Sequence, residues 1–258
     1  NFMATYKKKG SKPSTKEEKA NHIEEESTTA EVFNTLDEGA GKTEEWVAAN
    51  QKWIYIIVGL AAVVVLGYLG WQRFVQEPKE LEASNEMFQA QQYFDTALAG
   101  SGTASDSLYN MALNGGEGKY GFLDIIDNYG STNAGNLAQY YAGFSYLHTN
   151  KYQEAIDHLE DFDGDDEILA PLATGGIGDA FLQLDQPEEA LNYYEKAATM
   201  RSNELTAPRF LLKAAITAIQ LGKGDKAVEY LNRINDEFAN TPEASQVAIY
   251  LGRAEALN

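Results

Sequence analysis

The chain has 258 residues and a formal net charge of −19, from 20 Lys and Arg against 39 Asp and Glu. Binding to nucleic acid depends on the neutralisation of phosphates, so the composition argues against it. The chain has no cysteine, which excludes disulfides, thiolate metal sites and cysteine nucleophiles. Its three histidines, His22, His148 and His158, lack the spacing of metal ligands. We therefore expect no metal, no other cofactor and no enzymatic activity.

Residues 1–51 are predicted to form a disordered tail. Six lysines lie within the first nineteen residues, and three glutamates, Glu24, Glu25 and Glu26, follow them among many Ser, Thr and Asn residues. A segment of this composition cannot bury enough apolar surface to offset the entropy lost on folding.

Residues 52–73 are predicted to cross a lipid bilayer as one helix. Residues 53–71 carry no charge, and a helix of this length spans about 28 Å, close to the thickness of the hydrocarbon core. Aromatic rings that favour the membrane interfaces stand at both ends, namely Trp53, Tyr55, Tyr68 and Trp71. Gly59 and Gly67 would let another helix approach, although the intervening Val63 interrupts the small-residue spacing.

The positive charges near the span predict its orientation. Eight lysines precede it, whereas Arg73 and Lys79 follow it closely, so the tail should stay in the cytoplasm and the C-terminal part should cross the membrane. The apolar stretch begins about fifty residues into the chain and lacks the small residues of a cleavage site. We therefore expect the anchor to be retained.

Residues 74–258 are predicted to be an all-α repeat array. Apolar residues recur at spacings of three and four, without the alternation typical of strands. Small residues also recur after 35 and then 37 residues. The positions are Gly143 and Ala155, then Gly178 and Ala190, then Ala215 and Ala227.

This pattern resembles the tetratricopeptide repeat family, whose unit of about 34 residues is a pair of antiparallel helices that cross at small side chains. The resemblance implies an α-solenoid of about four to five helical pairs, with the first helix of each pair lining an inner groove. Asn150 with Gln153, and Asp185 with Glu188, have the spacing of capping boxes, so we predict that they start the second helices of two units.

The family's groove positions map onto a set of aromatic, amide and charged residues. They are Tyr140, Phe144, Leu147, His148, Asp179, Leu182, Gln183, Arg209, Leu212, Ile216 and Gln220. For Leu182, Leu212 and Ile216 we expect packing between repeats instead. A lining of this kind suits contact with an unfolded or extended polypeptide.

The acidic run Asp161–Glu167 has Asp at its first, third and fifth positions, as a calcium-binding EF-hand loop does. The loop would need Gly at its sixth position and Glu at its twelfth, where this chain has Asp166 and Leu172. We therefore interpret the run as a solvated loop between repeats.

The whole arrangement of tail, single span and acidic repeat domain resembles the YfgM-like ancillary subunits of the SecYEG translocon. The similarity includes the stretches 121–132 and 135–143. It implies a bacterial inner-membrane protein with a periplasmic domain, and as partners SecYEG-type translocon subunits, emerging secretory chains and a periplasmic chaperone or prolyl isomerase. Related repeats also occur in envelope scaffolds that recruit cell-division or cell-wall proteins, which is the alternative function.

Overall fold

A computed structural model describes residues 46–257 of the protein. Within this range the chain is helical and contains no β-strand, apart from a single bridge between Gly116 and Lys119. The predicted all-α class is confirmed. Most of the tail, residues 1–45, lies outside the described residues.

Helix α1 covers residues 46–71. It therefore includes residues 46–51, which the sequence analysis assigned to a disordered tail, and that assignment is wrong for these six residues. By length and composition the helix Trp46–Ala99 can cross a membrane, and none of its apolar window is buried within the protein. The orientation of the chain and its compartment stay predictions.

The second unit of the chain begins at Trp71, three residues before the predicted start of the repeat domain. It opens with a π-helical turn, Gln72–Gln76. Its helices are α2 (Glu77–Ala99), α3 (Thr103–Asn114), α4 (Phe122–Tyr129), α5 (Asn133–His148), α6 (Tyr152–Asp161), α7 (Leu169–Gln183), α8 (Pro187–Met200), α9 (Ala207–Gln220), α10 (Gly224–Glu237) and, after a 3-10 turn at Pro242–Gln246, α11 (Val247–Glu255).

Three helical pairs form the regular part of the solenoid, α5 with α6, α7 with α8 and α9 with α10. The second helix of each pair also packs on the first helix of the next, as α6 does on α7 and α8 on α9. Helices α2, α3 and α4 pack on one another and on α5, and α11 packs on α9 and α10. The predicted solenoid of about four to five pairs is therefore confirmed.

The small residues lie at the helix crossings, as predicted. A Cβ atom added to Gly143 would be 2.5 Å from Cγ of Leu159 and 3.2 Å from the carbonyl oxygen of Ala155. A Cβ atom on Gly178 would be 2.7 Å from Cε1 of Tyr194. All three distances are shorter than ordinary van der Waals contact, so glycine permits these helices to approach this closely without displacing a neighbour.

Helix α7 contacts its neighbours through two further glycines. A Cβ atom on Gly175 would lie 1.9 Å from Cε1 of Phe210 in α9, and one on Gly176 would lie 2.9 Å from Cζ of Phe144 in α5. Glycine inside a helix costs about 1 kcal/mol relative to alanine. The packing of α7 against its neighbours must offset this cost, since the helix extends over residues 169–183.

The turns inside the repeats differ from the predicted capping boxes. The N-cap residues of α6 and α8 are Lys151 and Gln186, and neither caps its helix through its side chain. Asn150 and Asp185 instead have positive φ angles, 61° and 59°, and Gly222 takes the same place in the next unit with a φ of 71°.

Each of these positive-φ residues ends the first helix of its unit in a Schellman motif. In the first unit the amide of Lys151 donates to the carbonyl of Tyr146 at 2.9 Å, and the amide of Asn150 donates to that of Leu147 at 3.3 Å. Asn, Asp and Gly are the residues that best tolerate this left-handed conformation. The three positions therefore terminate helices and do not start them.

The close contacts at the glycines of α7 predict that a larger residue there lowers the stability, whereas the same change at an exposed glycine does not. We expect Gly175→Ala to lower the free energy of unfolding by about 1–3 kcal/mol, because the new methyl group would overlap the Phe210 ring. Urea unfolding of the full-length protein in mild detergent, followed by circular dichroism, measures the change.

Gly252→Ala is the matched control, because Gly252 lies in α11 with nothing within 4 Å of an added Cβ atom. It should leave the stability unchanged or raise it by up to about 1 kcal/mol through helix propensity. Equal effects of the two substitutions would contradict the packing argument.

Candidate protein-binding groove

The predicted groove residues all lie on the first helices of the three regular pairs, α5, α7 and α9. Tyr140, Phe144, Leu147 and Asp179 are half-buried, while His148, Gln183, Arg209 and Gln220 are exposed. This placement agrees with a surface built from one helix of each unit. Their role in binding stays a prediction, because several of them also have structural partners.

The aromatic residues of α5 are shared between the surface and the repeat interface. The Tyr140 ring lies 4.7 Å from that of Phe144 and 5.4 Å from that of Phe162, measured between centroids. Leu147 and both α5 rings pack against the buried cluster of α6 and α7. Burial raises the pKa of the Tyr140 hydroxyl to about 12, so at neutral pH this group stays protonated and can donate a hydrogen bond.

Arg209 adds an exposed positive charge on α9. Its guanidinium carbon lies 5.9 Å from the centre of the Phe210 ring, and it forms no ion pair with any residue between 46 and 257. Arg209 is close enough to the Tyr140 hydroxyl to oppose the rise of its pKa. The Tyr140 hydroxyl of α5 and the Arg209 guanidinium of α9 therefore lie near each other.

Helix α7 allows this approach because it has no side chains at Gly175 and Gly176. Phe210, next to Arg209, packs on Gly175, and Phe144, one turn from Tyr140, packs on Gly176. Gly175 and Gly176 are therefore buried under these rings. We define the central groove as the half-buried rings of Tyr140 and Phe144 on α5 together with the exposed Arg209 on α9. The groove combines the edges of two aromatic rings with two hydrogen-bond donors, the Tyr140 hydroxyl and the Arg209 guanidinium.

Asp179 has a structural role that its sequence position alone did not predict. Its carboxylate accepts hydrogen bonds from Lys213 at 2.7 Å and from the Tyr194 hydroxyl at 2.6 Å. The three residues belong to α7, α9 and α8, so this carboxylate links two repeats. The role of Asp179 in partner binding stays a prediction, but its carboxylate already has two partners within the domain. Lys213 lies 34 residues after Asp179, a separation of one repeat, which is the signal that could have revealed the pair.

His148 also packs within the domain. Its ring stacks on Tyr109 of α3, with centroids 4.8 Å apart and an angle of 6° between the planes. Partial burial lowers its pKa below the usual value. One face of the imidazole is therefore covered by α3, while the residue as a whole is exposed, and its role in the groove stays a prediction.

Leu182, Leu212 and Ile216 were expected to pack between repeats, and they do. Leu212 is buried, and Leu182 and Ile216 are partly buried against the same core cluster of the α7–α11 region. Their assignment to packing between repeats is confirmed.

The acidic loop makes local contacts. Asp166 accepts hydrogen bonds from the backbone amides of Ile168 and Leu169 at 2.7 and 2.8 Å, which lower its pKa. Asp165 pairs with Arg201. Within the described part of the chain, no group of three or more His, Asp or Glu residues could hold a metal ion.

The Asp179–Lys213 pair predicts a second loss of stability. Both side chains are 30% exposed, so solvent screens part of their attraction. We expect Asp179→Asn to lower the free energy of unfolding by about 1–2 kcal/mol. The Lys213 ammonium group would then have only uncharged hydrogen-bond partners. Urea unfolding of the full-length protein measures the loss.

Glu188→Gln is the control, because Glu188 pairs with Lys223 at nearly the same sequence separation on a more exposed surface. It should cost at most about 0.5 kcal/mol. If it costs as much as Asp179→Asn, the Asp179 carboxylate does not connect the repeats.

Comparison with known families agrees with the fold. Two tetratricopeptide repeat models match the chain, one over residues 137–162 and the other over residues 181–248. No curated protein matches it at a significant level. The first match covers most of α5 and α6, and the second runs from the end of α7 into α11. Together with the helical pairs described above, these matches show that the domain is a tetratricopeptide-like solenoid, a fold that typically mediates protein–protein interaction.

Proposed function

We propose that the protein is a membrane-anchored interaction subunit whose central groove binds an extended segment of another polypeptide. The single observation that carries this proposal is the composition of the groove. Partly exposed rings on α5 lie near an exposed guanidinium group on α9, and these two helices belong to different repeats. An extended chain could lie across these groups on the face formed by the first helices of the repeats.

The chemistry of the groove fits a polypeptide of variable sequence. The rings of Tyr140 and Phe144 offer apolar contact to many side chains. The Arg209 guanidinium can donate to a backbone carbonyl or to a carboxylate. None of these groups demands one particular residue in the ligand, so the groove suits transient contact with different chains.

The resemblance to YfgM-like proteins supports a more specific version of the proposal. In this version the groove receives an emerging secretory chain, or a periplasmic chaperone such as a prolyl isomerase, beside the SecYEG translocon. The candidate span Trp46–Ala99 would keep the domain at the membrane. An envelope scaffold for cell-division or cell-wall proteins is the competing assignment.

A photoreactive amino acid placed at Gln183 tests the groove and its partner together. Gln183 is exposed near the end of α7. After irradiation of native membranes that hold the full-length protein, we expect adducts that contain secretory chains, translocon subunits or a periplasmic chaperone, identified by mass spectrometry. The control position is Asn232, which is exposed on α10.

Adducts that form equally at both positions, or at Asn232 alone, would contradict a binding groove. Adducts restricted to Gln183 that contain division or cell-wall proteins would keep the groove but replace the translocon assignment with the scaffold.

A further inference from the structure

The loop between α6 and α7 brings one aromatic ring to the central groove. Phe162 directly follows α6, and its backbone is extended, with φ and ψ angles of −72° and 110°. Its half-buried ring lies edge-on to that of Tyr140, with the centroids 5.4 Å apart and the planes inclined at 61°. Tyr140 is one of the three residues that define the central groove, so Phe162 borders the groove from the side of the loop.

Asn136 holds the chain directly after this ring. Its side-chain amide group donates to the carbonyl of Asp163 at 2.8 Å, and its side-chain oxygen accepts from the backbone amide of Asp163, also at 2.8 Å. Asn136 lies one turn before Tyr140 in α5, so the two side chains share one face of that helix. Two hydrogen bonds to one residue fix its orientation as well as its position. The backbone that carries Phe162 is therefore held on the groove face of α5.

Other groups hold the second half of the loop. Asp166 accepts from the backbone amides of the N-cap residue and the first residue of α7. Asn203 donates to the carbonyl of Glu167 at 2.9 Å. These bonds fix the part of the loop next to α7, whereas the bonds of Asn136 fix the part next to Phe162. The two halves can therefore be perturbed separately.

The Phe162 ring is not enclosed on all sides. Together with Ile177 and Tyr193 it lines a cavity of about 260 Å³. Gly164 touches the ring, since a Cβ atom added there would lie 2.4 Å from the Cε1 atom of Phe162. A ring beside an open cavity is not fixed by close packing alone. The backbone on either side of Asp163 therefore determines whether the ring stays against Tyr140.

We propose that Phe162 is a further contact residue of the central groove and that Asn136 is the positioning residue that holds it there. This inference rests on the proposed function, because it takes a polypeptide to lie across Tyr140. The Phe162 ring extends the apolar contact that Tyr140 and Phe144 offer to such a chain. Asn136 acts through the backbone of Asp163.

Fluorine NMR of the full-length protein in mild detergent tests the positioning. A 4-fluorophenylalanine at residue 162 reports the surroundings of this ring alone. We expect Asn136→Ala to move the fluorine resonance by more than its linewidth, because the ring would no longer be held against Tyr140. Gly164→Ala should also move it, because the new methyl group would displace the ring directly.

Asn128→Ala is the matched control for the NMR measurement. The side chain of Asn128 also donates to a backbone carbonyl at 2.8 Å, that of Asp124, but this bond lies within α4. The substitution should leave the fluorine resonance in place.

The binding of a fluorescently labelled, permanently unfolded protein, measured by fluorescence anisotropy, tests the contact. We expect Phe162→Ala to weaken binding about fivefold and Asn136→Ala about threefold, as for residues outside the centre of an interface. Asn128→Ala should leave the affinity unchanged. Circular dichroism checks that each variant keeps its helices.

Two results would overturn the proposal. An unchanged resonance in Asn136→Ala would show that Asn136 does not position the ring. A moved resonance with unchanged affinity in both Phe162→Ala and Asn136→Ala would show that the ring is not part of the groove. If the unmodified protein binds no unfolded polypeptide, the proposed function fails and the contact role of Phe162 fails with it. The resonance of Asn136→Ala then still decides whether Asn136 positions the ring.

Discussion

The solenoid depends on the close approach of α7 to the helices around it. Gly175 faces α9, Gly176 faces α5 and Gly178 faces α8, and at each position an added Cβ atom would lie within 3 Å of a neighbouring ring. These contacts fix the separation of the repeats on both sides of α7. Phe144, which covers Gly176, also belongs to the candidate binding surface, and Phe210, which covers Gly175, is next to Arg209. The packing of α7 therefore holds the residues of the candidate binding surface in place.

The repeat pattern predicted the fold because each helix crossing requires a small residue. Gly143 with Ala155 and Gly178 with Ala190 recur at a constant interval, and the structure brings each pair together. The turns were harder to predict, because Asn150 suits both a helix N-cap and a left-handed helix end. Only the comparison with Gly222 in the third unit, where a capping side chain is impossible, distinguishes the two roles.

The candidate site was predicted less completely than the fold. The mapping from the family located the right helices, but it did not reveal that Lys213 and Tyr194 occupy the Asp179 carboxylate. It also missed the stacking of His148 on Tyr109, since α3 lies in the irregular part of the domain, where no repeat interval relates the two residues. Contacts between side chains of different repeats depend on the superhelical geometry, and a single sequence does not specify it.

The central claim is that Arg209 and the rings beside it bind polypeptide. It is tested most directly by the binding of a fluorescently labelled, permanently unfolded protein to the full-length chain in detergent, measured by fluorescence anisotropy. Arg253→Glu is the matched control, because Arg253 is also exposed and stacks on a neighbouring ring, Tyr250, at 5.4 Å. We expect Arg209→Glu to weaken binding about tenfold, equivalent to about 1.4 kcal/mol, and Arg253→Glu to leave it unchanged. Equal affinities for the two variants, with both still folded, would contradict the account.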